Sequence, residues 1–340
     1  AAGLEPEGSP PRAVTLPWMM QQDSLSSAAV AMMLPFGASR GRALESAWTE
    51  YTQGALGRSF EALRAGEAAG WRPSLVYSPM LVEDGRRLLV SNLDLSELTT
   101  SEASSLVLER HGDEPAAQGP KARLSLSGVQ LFQLFPRKQS AFAVAAAARM
   151  SASFPYVSPA SSLPTQPRVR VVDAGYYDNY GVALAALWLH AHRDWLRECT
   201  SGVVLIQIRD HLGNGRRTRL QVSSGSAELL GGLTSPMEAV LRARESSMSF
   251  RNDELLELVE DELNAEEPCF FTTAIFEFAE TAPLSWALTQ RDVAWLERAA
   301  DSAGTQARVD AVREWLTAGP VARAQARELG LCPGGRELSP

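Results

Sequence analysis

Histidine and cysteine are scarce in this chain. Of 340 residues, four are histidine and three are cysteine. Cys199, Cys269 and Cys332 are odd in number and far apart, and no metal-ligand spacing links them. They read as small buried or incidental thiols and do not decide the compartment. His111, His190, His192 and His211 are the only imidazoles. His190 and His192 stand two apart on an expected helix, so they face different ways and make a poor metal pair. The sequence therefore assigns no metal and no cofactor. A long apolar run is also missing: the blocks at 28–34 and 141–148 fall short of the ~18 residues that a membrane span needs. Excess basic charge is absent too. A net charge of −8 argues against a nucleic-acid partner held through counterion release. It also disfavours attraction to anionic lipid but leaves hydrophobic docking open. A soluble or membrane-peripheral protein is expected, with compartment and oligomeric state left open. The first residues, Ala1-Ala2-Gly3, carry no charged segment followed by an apolar core. A leader already removed, or a chain cut from something longer, is expected.

What is present is ordinary globular material: 45% hydrophobic and 21% charged residues, enough for one large core or two domains. Residues 1–17 are rich in Pro, Gly, Glu and Ala and read as a flexible arm. A helix is expected from Ser24 or Ser26 to Met33, with the serines able to cap it, and the helical spacing of Leu44, Trp48 and Tyr51 predicts another over 42–56. Strands are expected at 74–77 and 87–90, with turn chemistry from Asp84-Gly85 between them. The polar stretch 109–121 reads as a loop. Alanine dominates 140–151, a helix that should stop before Phe154-Pro155. Strand 168–173, helix 182–195 and strand 203–209 form a β-α-β pattern, which implies parallel strands with a right-handed crossover. The nearly all-apolar run 203–208 suits a strand covered on both faces. The first half of helix 182–195 is apolar all round and should be buried. A Gly/Arg loop at 213–217, helices at 236–246, 252–263, 291–302 and 306–318, and a strand at 270–278 complete the reading. No internal repeat and no clean linker appear. The expected organisation is an arm over 1–17, an α/β domain over 18–215, and a mostly helical extension over 216–340 packed on it.

The densest signal is Val171-Val172-Asp173-Ala174-Gly175-Tyr176-Tyr177-Asp178-Asn179-Tyr180-Gly181. A strand ends in a carboxylate, and a Gly/Tyr/Asx turn and an apolar helix follow. Open α/β sheets place their chemistry where strands end and loops begin. A loop aspartate also commonly caps the turn after it, so two roles for Asp173 stand side by side. Asp178 and Asn179 read as turn-shaping Asx residues, Gly175 and Gly181 as positions of special backbone conformation, and Tyr176 and Tyr177 as packing residues that could line an acyl pocket. Trp286, Trp295 and Trp315 read as packing residues, with docking on a membrane interface as the rival role.

These residues resemble the aspartate motif of the patatin-like phospholipases, with Ala174 replacing the usual glycine. The resemblance extends to Ala145-Ala146-Ala147-Ala148-Arg149-Met150-Ser151-Ala152-Ser153-Phe154-Pro155, similar to an Ala-rich helix ending in Ser-x-x-Phe-Pro. It also covers Leu81-Val82-Glu83-Asp84-Gly85-Arg86-Arg87, similar to a hairpin of bacterial members, then Arg40 to Trp48 and Pro283-Leu284-Ser285-Trp286. Together these span roughly residues 20–318. The resemblance implies a three-layer α/β/α fold with a mostly parallel sheet and a helical C-terminal extension. It implies a lipid acyl hydrolase, a phospholipase A or carboxylic ester hydrolase, working through a Ser–Asp dyad in which Asp173 is the acid residue. The substrate would be a lipid or other ester.

The nucleophile is the missing half. Such enzymes carry a Gly-x-Ser-x-Gly elbow preceded by a glycine-rich oxyanion loop. No such loop is found. One formal elbow exists, Gly37-Ala38-Ser39-Arg40-Gly41, but Pro35-Phe36 interrupts its lead-in and Arg40 is bulky for the turn. Moreover, Arg40–Trp48 itself resembles a segment downstream of the family's elbow. The expectation is a chain that begins after the true serine. Two rivals remain: a non-catalytic patatin-like lipid-binding or interaction protein, and a metal-dependent hydrolase using Asp173 and Asp178.

Overall fold

The structure is a computed structural model that describes residues 18, 19, 21–23, 26, 40–99, 127–153, 160–178, 180–209, 248, 250–277 and 288–318. The chain divides into two units, residues 1–179 with 284–295 and residues 180–283 with 296–340. The helices expected at 24–33 and 236–246 and the loops at 109–121 and 213–217 lie outside the described residues, apart from residue 26.

The first unit starts with helix α1 (Arg40–Tyr51), which buries Gly41, Leu44 and Ala47 on one face. Helix α2 (Phe60–Ala68) follows. The side chain of Ser59 caps it by accepting the Ala62 N–H, and Phe60 and Leu63 enter the core. Strands β1 (Val76–Tyr77), β2 (Met80–Leu81) and β3 (Arg87–Ser91) come next. The β2–β3 turn is closed by the Leu81 N–H on the Arg86 carbonyl at 2.8 Å, and Gly85 takes the positive φ of 72° that the turn requires. Strand β4 (Gly128–Gln130), the short helix α3 (Leu131–Leu134), helix α4 (Val144–Ser151), and strands β5 (Ser161–Ser162) and β6 (Arg170–Val172) complete the unit.

These six strands make one sheet in which β3 pairs with three others. Strands β1 and β2 pair with β3 along one edge, and β4 pairs along the other. Beyond β2 come β6 and then β5. Only β3–β4 is parallel. The α/β class expected from sequence holds, but the mostly parallel sheet does not: this sheet is mostly antiparallel. The reason is local. The Asp84-Gly85 turn reverses the chain between β2 and β3, and a strand pair joined by a tight turn is antiparallel. The core gathers Phe60, Leu63, Leu81, Leu88, Val90, Val129, Val144, Ala147, Met150 and Val171. Phe60 meets Phe132 edge-on at 5.2 Å between ring centroids.

The second unit holds helix α5 (Val182–Ala191), helix α6 (Arg193–Cys199), strand β7 (Val203–Arg209), helix α7 (250–264) and strand β8 (Phe271–Glu277). The expected helix over 182–195 is therefore two helices broken at His192. The apolar first half is buried as expected, with Val182, Leu184, Ala186, Leu187 and Leu189 inside. Strands β7 and β8 form a separate two-stranded parallel sheet, in register from Val203↔Phe271 to Arg209↔Glu277. Strands β6 and β7 thus belong to different sheets, which corrects the expected β-α-β pairing. Ile206 and Ile208 are exposed, the latter at 77%, so β7 is not covered on both faces. Asn264 ties α7 to the sheet: its amide donates to the Phe271 carbonyl and accepts the Phe271 N–H. Leu256, Val259 and Leu263 of α7 pack with Phe270 and Phe271.

Helices α8 (Gln290–Ala300) and α9 (Ala303–Thr317) close the described chain. A reciprocal Thr289–Asp292 pair caps α8. Trp315 is buried and Trp286 lies outside the described residues. Cys269 is disulfide-bonded, so it is not the incidental thiol the spacing suggested, whereas Cys199 is free and exposed.

Candidate active site

Strand β6 delivers Asp173 to the end of the main sheet. Val171 and Val172 pair with Leu81 and Met80, and Val171 is fully buried. The chain then leaves the sheet in a 3-10 turn, Ala174–Tyr176. The Asp173 carboxylate accepts the Gly175 N–H through Oδ1 at 2.6 Å. Gly175 sits inside this turn as a buried donor, while Gly181 takes the special backbone conformation with φ 69°. The Tyr177 and Asp178 N–H groups both donate to the Ala174 carbonyl at 2.9 Å. The whole segment 173–178 is one knot of short backbone bonds, rooted in β6.

The alanine-rich helix α4 lies against both β6 and this turn. Its C-terminal end is finished by Ser153, whose hydroxyl donates to the Met150 carbonyl. Phe154 and Pro155 lie outside the described residues. Two of the segments that carried the family resemblance therefore meet in space.

The turn is also held from the sheet side. Arg87 begins β3 and is 2% exposed; Asp178 is 3% exposed. Their closest approach is 3.5 Å, from Arg87 Nη1 to Asp178 Oδ2. The guanidinium carbon lies 4.3 Å from the centroid of the Tyr177 ring, a cation–π stack. Asp178 thus shapes the turn through its backbone, and its side chain is committed to Arg87. Sequence reading missed Arg87. Its one signal was a second arginine, after Arg86, set directly against Leu88-Leu89-Val90. Tyr176 and Tyr177 are each 37% exposed, so both are only half packed.

The two described histidines are tied to their own surroundings. His190 Nδ1 meets Glu262 at 2.6 Å and His192 Nδ1 meets the Trp188 carbonyl at 2.9 Å, so the two imidazoles do face different ways. His111 and His211 lie outside the described residues, as does Ser39. Among the described residues, no group of three or more His, Cys, Asp or Glu is arranged to hold a metal ion. No described helix is long and apolar enough to cross a membrane. No family model, curated protein or solved structure matches the chain.

Proposed function

We propose that the protein is a patatin-like lipid acyl hydrolase of three-layer α/β/α architecture, with Asp173 as the acid–base residue of a Ser–Asp dyad. Its serine partner lies outside the described residues. A serine hydroxyl is a weak nucleophile at neutral pH and needs a base within hydrogen-bond reach. The Asp173 carboxylate takes the hydroxyl proton as the serine oxygen attacks the ester carbonyl. The proton then passes to the departing alcohol or lysolipid, leaving an acyl-serine. Water attacks that ester, giving its proton to Asp173, which passes it to the serine oxygen as the fatty acid leaves, so both groups return to their starting state. The substrate is a lipid or other carboxylic ester, reached in solution or by peripheral contact with a lipid surface. What supports this reading is the placement of Asp173 at the end of β6, with the alanine-rich helix beside it.

One observation favours a second reading. Asp173 Oδ1 caps its own turn, the work of a structural aspartate, and a non-catalytic lipid-binding or interaction relative would need nothing more. The metal-dependent alternative gains no such support, because Asp178 is occupied by Arg87. Labelling the protein with a fluorophosphonate and mapping the modified peptide separates the first two. A labelled serine whose modification is lost in Asp173→Ala supports the dyad. No label on the folded full-length protein favours the non-catalytic relative.

A further inference from the structure

We infer that Arg87 is a positioning residue, which fixes the turn carrying Asp173 by pairing with Asp178 and stacking on Tyr177. The inference rests on the acyl-hydrolase reading of Asp173. Met80 stands between the two segments in the sheet: it pairs with Arg87 on one side and with Val172 on the other. Arg87 is therefore two strands from the residue that precedes Asp173. Its backbone is fixed by its N–H on the Ser127 carbonyl at 3.0 Å. Gly128 lies opposite, where an added Cβ would come within 3.2 Å of the Arg87 carbonyl oxygen. From this anchored point the side chain reaches across to residues 177 and 178, whose amides already hang on Ala174. The Asp173 turn is thus gripped at both ends: by strand β6 where it starts, and by a buried cation where it finishes.

Stability alone does not call for an arginine here. The other residues of β3 are Leu88, Leu89, Val90 and Ser91, all buried. A buried ion pair often contributes no more than apolar residues of the same volume, because desolvation consumes the Coulombic gain. The Arg87 Nε is buried with no hydrogen-bond partner among the described residues, a further cost. What the pair supplies is direction: a planar cation stacks on a ring and meets a carboxylate in only a few geometries. The reaction depends on that, since a displacement of about 1 Å in a reacting group costs around a hundredfold in rate.

The test uses Arg87→Met/Asp178→Leu in the full-length protein. Both charges go together, so neither is left orphaned, and thermal unfolding checks that the fold survives. Hydrolysis of a short-chain p-nitrophenyl ester is followed for kcat and KM, and amide exchange is followed on the peptide spanning 172–178. The expected result is a folded variant with kcat lower by at least about tenfold, KM little changed, and faster exchange confined to the turn. Arg87→Ala should recover part of its kcat when millimolar guanidinium is added, at an unchanged melting temperature; recovery that only follows a rise in melting temperature would mark a purely structural lesion and overturn the positioning role. With Asp173→Asn inactive in parallel, a folded double variant with wild-type kcat overturns the inference while the hydrolase reading stands. If Asp173→Asn keeps its activity, the hydrolase reading fails, and unchanged exchange in the double variant then overturns the positioning role as well.

Discussion

Arg149 of α4 donates from Nε to Glu45 of α1 at 2.6 Å, directly over Gly41. A Cβ at position 41 would lie 2.7 Å from the Arg149 guanidinium carbon. The absence of a side chain at Gly41 is what lets these helices bring the pair together. Gly41→Val should therefore destabilise the protein by about 2 kcal/mol, through overpacking against the guanidinium that Glu45 holds in place. Arg149→Ala should cost less, about 1 kcal/mol, because the pair is partly solvated. Denaturant unfolding measures both, and a Gly41→Val variant as stable as wild type would contradict the packing.

Removing one member of the Arg87–Asp178 pair should be far worse than removing both. Asp178→Ala leaves a buried guanidinium without its counter-charge, at a cost of roughly 3–5 kcal/mol. Arg87→Met/Asp178→Leu should lose much less. A double-variant loss equal to the sum of the two single losses would mean that the two groups are not coupled.

Glu260 on α7 sits among like charges. Burial, and then Asp261 and Glu257, push its carboxyl above the ordinary glutamate range. A carboxyl raised in the folded state binds its proton more tightly there, so it subtracts stability as pH rises from the ordinary value through the raised one. Glu260→Gln should stabilise the protein at neutral pH, by no more than about 1 kcal/mol given solvent screening. The gain should vanish in acid below the ordinary glutamate range. Melting temperatures at the two pH values check this; a gain of equal size at both would exclude the electrostatic cause.

Asp94 has the opposite sign. The Ser96 hydroxyl and amide, outweighing partial burial and helped by Gln130, hold its carboxyl below the usual aspartate range. Its contribution is present above the ordinary aspartate value and is lost as pH falls through the depressed one. Asp94→Asn should therefore cost stability at neutral pH, under about 1 kcal/mol for so exposed a group, and almost nothing in strong acid.

Much of the fold was legible because its signals were local. The alanine run gave α4, the valine run gave β6, and the apolar segment 203–208 gave β7. Phe60–Ala68 was missed, although Ser59 and Glu61 mark a helix start, because glycine and polar residues dilute its apolar face. The break at His192 was missed because Trp188, Leu189 and Trp195 continue the apolar pattern across it. Sheet topology was misjudged for a different reason. A strand–helix–strand pattern implies parallel pairing only if both strands share a sheet, and β6 pairs with β2 instead. In the site, Asp173 was legible from the strand end. Arg87 was not, because 91 residues separate it from Asp178 and no sequence period links them.

The most direct measurement is ester hydrolysis by Asp173→Asn in the full-length protein, with folding verified by circular dichroism and thermal unfolding. The amide keeps the shape and an oxygen to accept the Gly175 N–H, but it cannot take a proton from serine. The account predicts a folded variant with hydrolysis reduced by at least about a hundredfold. A folded variant that hydrolyses the ester like wild type would contradict it and leave Asp173 as the cap of its own turn.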